Sequence, residues 1–214
     1  KGFFDAIQDF NNQQLILAYH DRSDGGLFAT VCEMAFAGRC GVTVNLDELV
    51  FDRWSDDVDG FKRSNDEQLA GRLRERALQA MFAEELGAVI QIRATDRGRV
   101  MDLLRSFQLG SCAFVLGFLN SRDEIAFTRG AKPIFREPRV ELQRAWSETS
   151  YRMQQLRDNP ECAQEEYDLI LDAKDPGISF QLSFAPQKFP IGSGEPPRVA
   201  ILREQGVNSQ VEMA

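Results

Sequence analysis

Asp21, Ser23 and Asp24 stand within a few residues of one another in the run Tyr19-His20-Asp21-Arg22-Ser23-Asp24-Gly25-Gly26-Leu27. A carboxylate, a hydroxyl and two glycines so close together suit an anion and the metal that travels with it. A hard divalent cation takes one or two carboxylates together with phosphate oxygens and water. A hydroxyl and the unpaired amides at a helix start can hold the phosphate, and glycines let a ligand approach the backbone. The elements that must place these groups are legible on either side. Leu15 to Tyr19 is a continuous apolar run, expected as a strand covered on both faces, and Leu27, Val31, Met34 and Ala35 recur at helical spacing. The polar residues therefore fall on a strand-to-helix turn. A plainer use of the same residues stands beside this one: Ser23 or Asp24 caps the helix, Gly25 and Gly26 serve the turn, and Asp21 is solvated. His20, the only histidine, reads as hydrogen-bonded in place rather than catalytic.

Composition narrows the partners. The chain has 214 residues, 43% of them hydrophobic, enough for a real core. Its net charge of −8 and pI near 4.8 leave no basic stripe to neutralise phosphates, so neither nucleic acid nor a membrane is an expected partner, and a bound nucleotide would need metal help. No apolar run reaches the length of a membrane span, and the first residues do not open a signal peptide, so the cytoplasm is the expected location. Cys32, Cys40, Cys112 and Cys162 are too scattered for a zinc knuckle or a redox pair. Reduced thiols are expected, with Cys32 and Cys112 inert in the core.

Along the chain, residues 3 to 11 suggest a helix with Phe3, Phe4, Ile7 and Phe10 on one face, and residues 41 to 46 a half-buried strand. Residues 47 to 65 read as a solvated acidic loop in which Asp52, Asp56, Asp57 and Asp59 lack calcium-loop spacing. Ser64-Asn65-Asp66-Glu67 resembles a capping box before a helix with Leu69, Leu73, Leu78 and Met81 inside. Glu84 and Glu85, paired before a strand, read as solvated helix-end acids in preference to a pair facing the site, residues 88 to 92 as a central strand, and 96 to 107 as a helix. Strands at 112 to 119 and 124 to 128 suggest a hairpin around Asn120-Ser121-Arg122-Asp123. A long helix is expected over 139 to 157, burying Leu142, Ala145, Trp146, Thr149, Met153 and Leu156 and ending at Asp158-Asn159-Pro160. Beyond it the pattern dissolves, apart from the alternation of Ile178, Phe180, Leu182 and Phe184. A last strand signal runs from Arg198 to Leu202. Both ends read as cut.

Two separated motifs, residues 18–27 and Val199-Ala200-Ile201-Leu202-Arg203-Glu204-Gln205-Gly206-Val207-Asn208-Ser209, resemble the large form of phosphoribosylformylglycinamidine synthase, the formylglycinamide ribonucleotide amidotransferase of purine biosynthesis. Further similarity lies in residues 82–91, in residues 153–162 and in Asp175-Pro176-Gly177, in the family's order. Residues 47 to 77 carry no usable likeness. The resemblance implies an ATP-dependent carbon–nitrogen ligase: phosphorylation activates the formamide oxygen of formylglycinamide ribonucleotide, and ammonia from glutamine displaces phosphate to give the amidine. It places Asp21 at a magnesium-ligand position and Ser23 at a nucleotide-contact position, with Mg2+ and ATP or ADP as cofactors. Of the family's two related nucleotide sites, a motif in this half matches the one that holds nucleotide for structural reasons. The runner-up is accordingly a noncatalytic nucleotide-stabilised scaffold, or an interdomain interaction module.

The expected fold is α+β, a mixed or antiparallel sheet with packed helices. By resemblance, residues 1–157 form a domain like the C-terminal domain of aminoimidazole ribonucleotide synthetase, 158–197 an extended linker, and 198–214 the first strand of an α/β glutamine amidotransferase domain. The partners implied are the remaining domains of the parent enzyme, with formylglycinamide ribonucleotide and glutamine bound mainly outside this chain. The glutaminase nucleophile would lie beyond Ala214, so the isolated chain is expected to be inactive.

Overall fold

In a computed structural model that describes residues 1–50, 66–175, 177–178, 180–186, 198–203, 206 and 209–213, the chain opens with helix α1 (Gly2–Asn12). It buries Ala6 and Phe10 completely. Phe3 and Phe4, expected on that same inner face, are exposed, because Phe10 and Ala6 set the direction of packing and the two leading rings fall off it. Strand β1 (Ile16–Asp21) alternates strictly between half-buried and exposed residues. The expectation of a strand covered on both faces fails here: Leu17 and Tyr19 face outward. Helix α2 (Gly26–Gly38) packs Leu27, Val31, Cys32, Ala35 and Phe36 inward, as its spacing requires.

Strand β2 (Gly41–Asn45) leads into a single helical turn, α3 (Asp47–Val50), where the sequence suggests loop. Asp47 begins it and reaches across to the backbone N–H of Gly130 at 2.9 Å. The aspartates from 52 to 59 and Ser64-Asn65 lie outside the described residues. Helix α4 (Asp66–Phe82) buries Ala77 and Met81, whereas Leu78 is exposed; the side chains of Leu69 and Leu73 also fall outside the described set. Among the described residues, strand β3 (Ala88–Ile92) pairs antiparallel with β1 alone. Its apolar run reads as central, yet it belongs to a two-stranded ribbon whose inner face packs on helices rather than on further strands. A 3-10 turn at Ala94–Asp96 feeds α5 (Arg97–Ser106).

Strands β4 (Gly117–Asn120), β5 (Glu124–Arg129) and β6 (Lys132–Pro138) complete a second sheet in the order β4-β2-β5-β6. The expected β4–β5 hairpin does not form, because β2 inserts between them, antiparallel to β4 and parallel to β5. The true hairpin is β5–β6, turning at Gly130 with φ 53°. Helix α6 (Arg139–Arg157) has the expected limits but keeps only part of the expected inner face: Leu142 packs against the core, whereas Trp146 is 62% and Leu156 90% exposed, and Arg139 and Tyr151 are buried. Tyr151 is covered by α7 (Pro160–Leu169), whose Tyr167 stacks on it at 4.2 Å. That helix occupies residues expected to be extended. Asn159 caps it, accepting the N–H groups of Glu161 and Cys162 at 2.9 and 3.2 Å, with Pro160 following at the first helical position.

Two cores result. One gathers α2, α3, α4, β2 and β5, with Phe28 meeting Phe82, Phe127 and Phe135 at ring distances of 5.2, 5.4 and 5.1 Å. The other joins Ala6, Phe10, Leu15 and Val100 with Ile90 and Ile92 of β3. Burying a phenylalanine such as Phe127 contributes on the order of 1.5–3 kcal/mol. This is the mixed α+β architecture expected from the sequence. Residues Lys1–Asp175 form one compact unit and Pro176–Ala214 a second. Within the second, Ile178, Phe180 and Phe184 are exposed, a hydrogen bond of 3.2 Å joins Met213 N–H to the Ser209 carbonyl, and residues 198–203 carry no strand where one is expected.

Candidate functional site

The alternation of β1 ends at Asp21, which is exposed, as are Ser23 and Asp24. The Tyr19 hydroxyl donates to Asp21 Oδ1 at 2.5 Å and so orients the carboxylate. Partial burial, then the bond to Asp21 and its charge, push the Tyr19 phenol up to about 12. Below the surface, Thr30 Oγ1 lies 2.9 Å from the Gly26 carbonyl and 3.2 Å from that of Asp21. A buried hydroxyl thus ties the strand end to the helix start, sharing its proton between two acceptors.

His20 is held in place, as expected. Its Nδ1 donates to the Asp21 carbonyl at 2.7 Å, and Nε2 sits 2.8 Å from Glu33 Oε2. Glu33 also accepts the Trp146 indole N–H at 3.2 Å. With both ring nitrogens engaged, the imidazole is a brace between β1, α2 and α6.

Capping of α2 by Ser23 or Asp24 does not occur. The cap is Gly25, at φ 77°, with no side-chain cap bond, and Gly26 follows at φ 63°. Among the described residues, none hydrogen-bonds the Ser23 hydroxyl or the Asp24 carboxylate. Gly26 N–H donates to the Ser23 carbonyl at 2.9 Å. The glycines serve the turn and a close approach: a Cβ on Gly26 would lie 2.8 Å from the Ala83 carbonyl oxygen.

That approach brings residues 82–87 beneath the corner, so two stretches singled out separately in the sequence meet in space. Arg22 is the clasp. Its Nε and Nη2 donate to the Ala83 carbonyl at 3.0 and 2.7 Å, its backbone N–H donates to the Gly87 carbonyl at 2.9 Å, and Nη1 lies 3.5 Å from Glu85 Oε2. Glu84 Oε1 accepts the Gly25 N–H at 3.0 Å. Glu84 and Glu85, expected as solvated acids at a helix end, therefore belong to the corner. Their pairing before a strand and their place in the stretch resembling the family are the hints to this, since a contact across some sixty residues of chain has no local pattern.

Cys32 is buried, and burial followed by the charge of Glu33 pushes its thiol up to about 12. Cys112 is exposed rather than in the core, its Sγ 3.3 Å from the Leu109 carbonyl. Among the described residues no group of three or more His, Cys, Asp or Glu is arranged to hold a metal. At the corner, Asp21 is the carboxylate that Tyr19 orients, while Glu84 is bonded to the Gly25 N–H and Glu85 is paired with Arg22. One carboxylate so oriented fits the share a protein supplies to a metal–phosphate complex, which keeps water and phosphate oxygens as its other ligands, and does not fit a cage built from protein alone. A cleft of about 470 Å3 between Glu48, Arg97, Met101 and Arg105 shares no residue with the corner. No helix among the described residues is long and apolar enough to cross a membrane.

A family model described as AIR synthase related protein, C-terminal domain, matches residues 3–129. Among solved structures, PurL from T. maritima complexed with FGAR aligns at a TM-score of 0.50 and 16% identity, covering 66% of this chain and 20% of that one. PurLQS from Thermotoga maritima aligns at 0.50 and 16%, covering 99% of this chain and 26% of that one. At such identity the likeness speaks for the fold. The chain spans about a fifth to a quarter of the length of those structures.

Proposed function

This chain belongs to the AIR synthase related family, carrying its C-terminal domain over residues 3–129, and we propose that it is one piece of a purine-biosynthesis ligase. The parent would convert formylglycinamide ribonucleotide, glutamine and ATP to the amidine, with ADP, phosphate and glutamate as the other products. FGAR is what the PurL structure of matching fold holds. The glutamine-donor role rests on the sequence resemblance of residues 199–209 alone, and the whole reaction requires domains outside this chain.

Within that reading, Asp21 contributes a metal ligand and Ser23 contacts the nucleotide. One observation carries the assignment: an exposed carboxylate and an exposed hydroxyl sit two residues apart on a turn that neither of them caps. Magnesium, when bound, supplies charge neutralisation for the polyphosphate. The chain's own part is positional. Tyr19 fixes one oxygen of Asp21, Thr30 fixes the backbone behind it, and Arg22 locks the turn to residues 83–87, so the geometry is present before any ligand arrives.

A specific observation also favours the scaffold reading, in which nucleotide is held for stability rather than turned over. The corner's one imidazole is engaged at both ring nitrogens, so the histidine itself is a brace and not a general base. Asp21→Asn in the full-length parent separates the cases. Nucleotide retention falls in both. Turnover per folded molecule stays near normal if the site is structural and is lost if it is catalytic. Unchanged retention in Asp21→Asn and Ser23→Ala would sink the nucleotide assignment altogether.

A further inference from the structure

Two amides of the turn that leads into α2 are already used. Gly25 N–H is held by Glu84 Oε1 at 3.0 Å and Gly26 N–H by the Ser23 carbonyl at 2.9 Å. Helix α2 has no acid in its own first turn, so the carboxylate facing its positive end comes from beyond α4. It is delivered there by packing, since the absence of a side chain at Gly26 lets the backbone of Met81, Phe82 and Ala83 come within 2.8–2.9 Å of where a Cβ would stand. The guanidinium at the corner is equally committed: Arg22 is bonded to Ala83 and paired with Glu85, with its side chain only 18% exposed. What faces outward is acidic, namely Asp21, Asp24, Glu84 and Glu85.

From this arrangement, and resting on the nucleotide reading above, we infer that Glu84 is a specificity residue that reserves the corner for metal-complexed polyphosphate and turns away metal-free phosphate. An uncomplexed phosphate finds the Gly25 and Gly26 amides taken and a carboxylate already seated on the first of them. A polyphosphate that arrives with its metal presents a cation to Asp21 and leaves the Glu84–Gly25 bond intact. Glu84 acts through charge and occupancy and touches no reacting atom.

The test uses the full-length parent and ADP as probe, titrated with magnesium and again with chelator, at the site that Asp21→Asn empties. Wild type is expected to bind ADP at least tenfold more tightly with magnesium than without. Glu84→Ala is expected to shrink that ratio at least threefold by gaining metal-free affinity, and Glu84→Gln, which keeps an acceptor but drops the charge, to fall between. An unchanged ratio in folded Glu84→Ala, or a loss of affinity under both conditions, overturns the inference. Amide exchange supplies a readout free of ligand: Gly25 N–H should exchange faster in Glu84→Ala with no nucleotide present, and unchanged exchange sinks the role of Glu84 while leaving the nucleotide reading standing. Failure of wild type to bind ADP even with magnesium removes both.

Discussion

Partial burial, together with the bond to the Asp21 carboxylate and its charge, raises the Tyr19 phenol from an ordinary value near 10 to about 12. A group whose proton is held more tightly in the folded state lends stability that is complete below the unfolded value and is lost as pH climbs through the folded one. The window here is therefore pH about 10 to 12, well above physiological conditions. Among the chain's three tyrosines, Tyr19 is expected to ionise late in an ultraviolet titration, and Asp21→Asn to bring that step down. A Tyr19 step that ignores the substitution would show that the carboxylate is not oriented as described. At this scale the candidate site was half legible. Residue types and spacing pointed to Asp21 and Ser23, but Glu84 and Glu85 reach the corner only through the fold, and no periodicity in residues 82–87 reports where α4 ends in space.

Elements were easier to find than to orient. The limits of α6 follow from its apolar repeat and from the Pro160 that starts the next helix, yet its stripe of Trp146, Met153 and Leu156 faces outward. A repeat says that one face is apolar and says nothing of which neighbour it meets. Strand β6 escaped notice because Pro133 and Pro138 argue against a strand; both are tolerated because β6 lies at the edge of its sheet. The β4–β5 hairpin misled for a related reason: turn residues mark a reversal of the chain, but β2 had claimed the place between the two strands. One junction between elements has a sharp expectation. Gly26→Ala puts a methyl 2.8 Å from the Ala83 carbonyl at a backbone φ of 63°, and it should cost about 1–3 kcal/mol, read from the urea midpoint. A neutral result would mean that α4 does not press on the corner.

On the scale of the whole molecule, the unit running to Asp175 takes in α7 as well as α6. A protein ending at Arg157 would uncover Tyr151, which is 6% exposed, and would discard the Tyr167 ring and its contact with Arg144 at 4.3 Å. One ending at Asp175 keeps them all. The shorter protein is expected to melt several degrees lower than the longer, by an amount consistent with about 2 kcal/mol in a domain of this size; equal melting temperatures would show α7 to be dispensable. The exposed stripe on α6 remains apolar surface in either case.

Arg39 gives the departure of the chain a definite address. Its guanidinium donates to the carbonyls of Asp172 and Asp175 at 2.7 and 2.5 Å, with Asp175 Oδ2 a further 3.6 Å contact. The last residues of the first compact unit are therefore fastened beside the last turn of α2. Removing the guanidinium would take those bonds away and loosen this end of the unit from the helix it is pinned to.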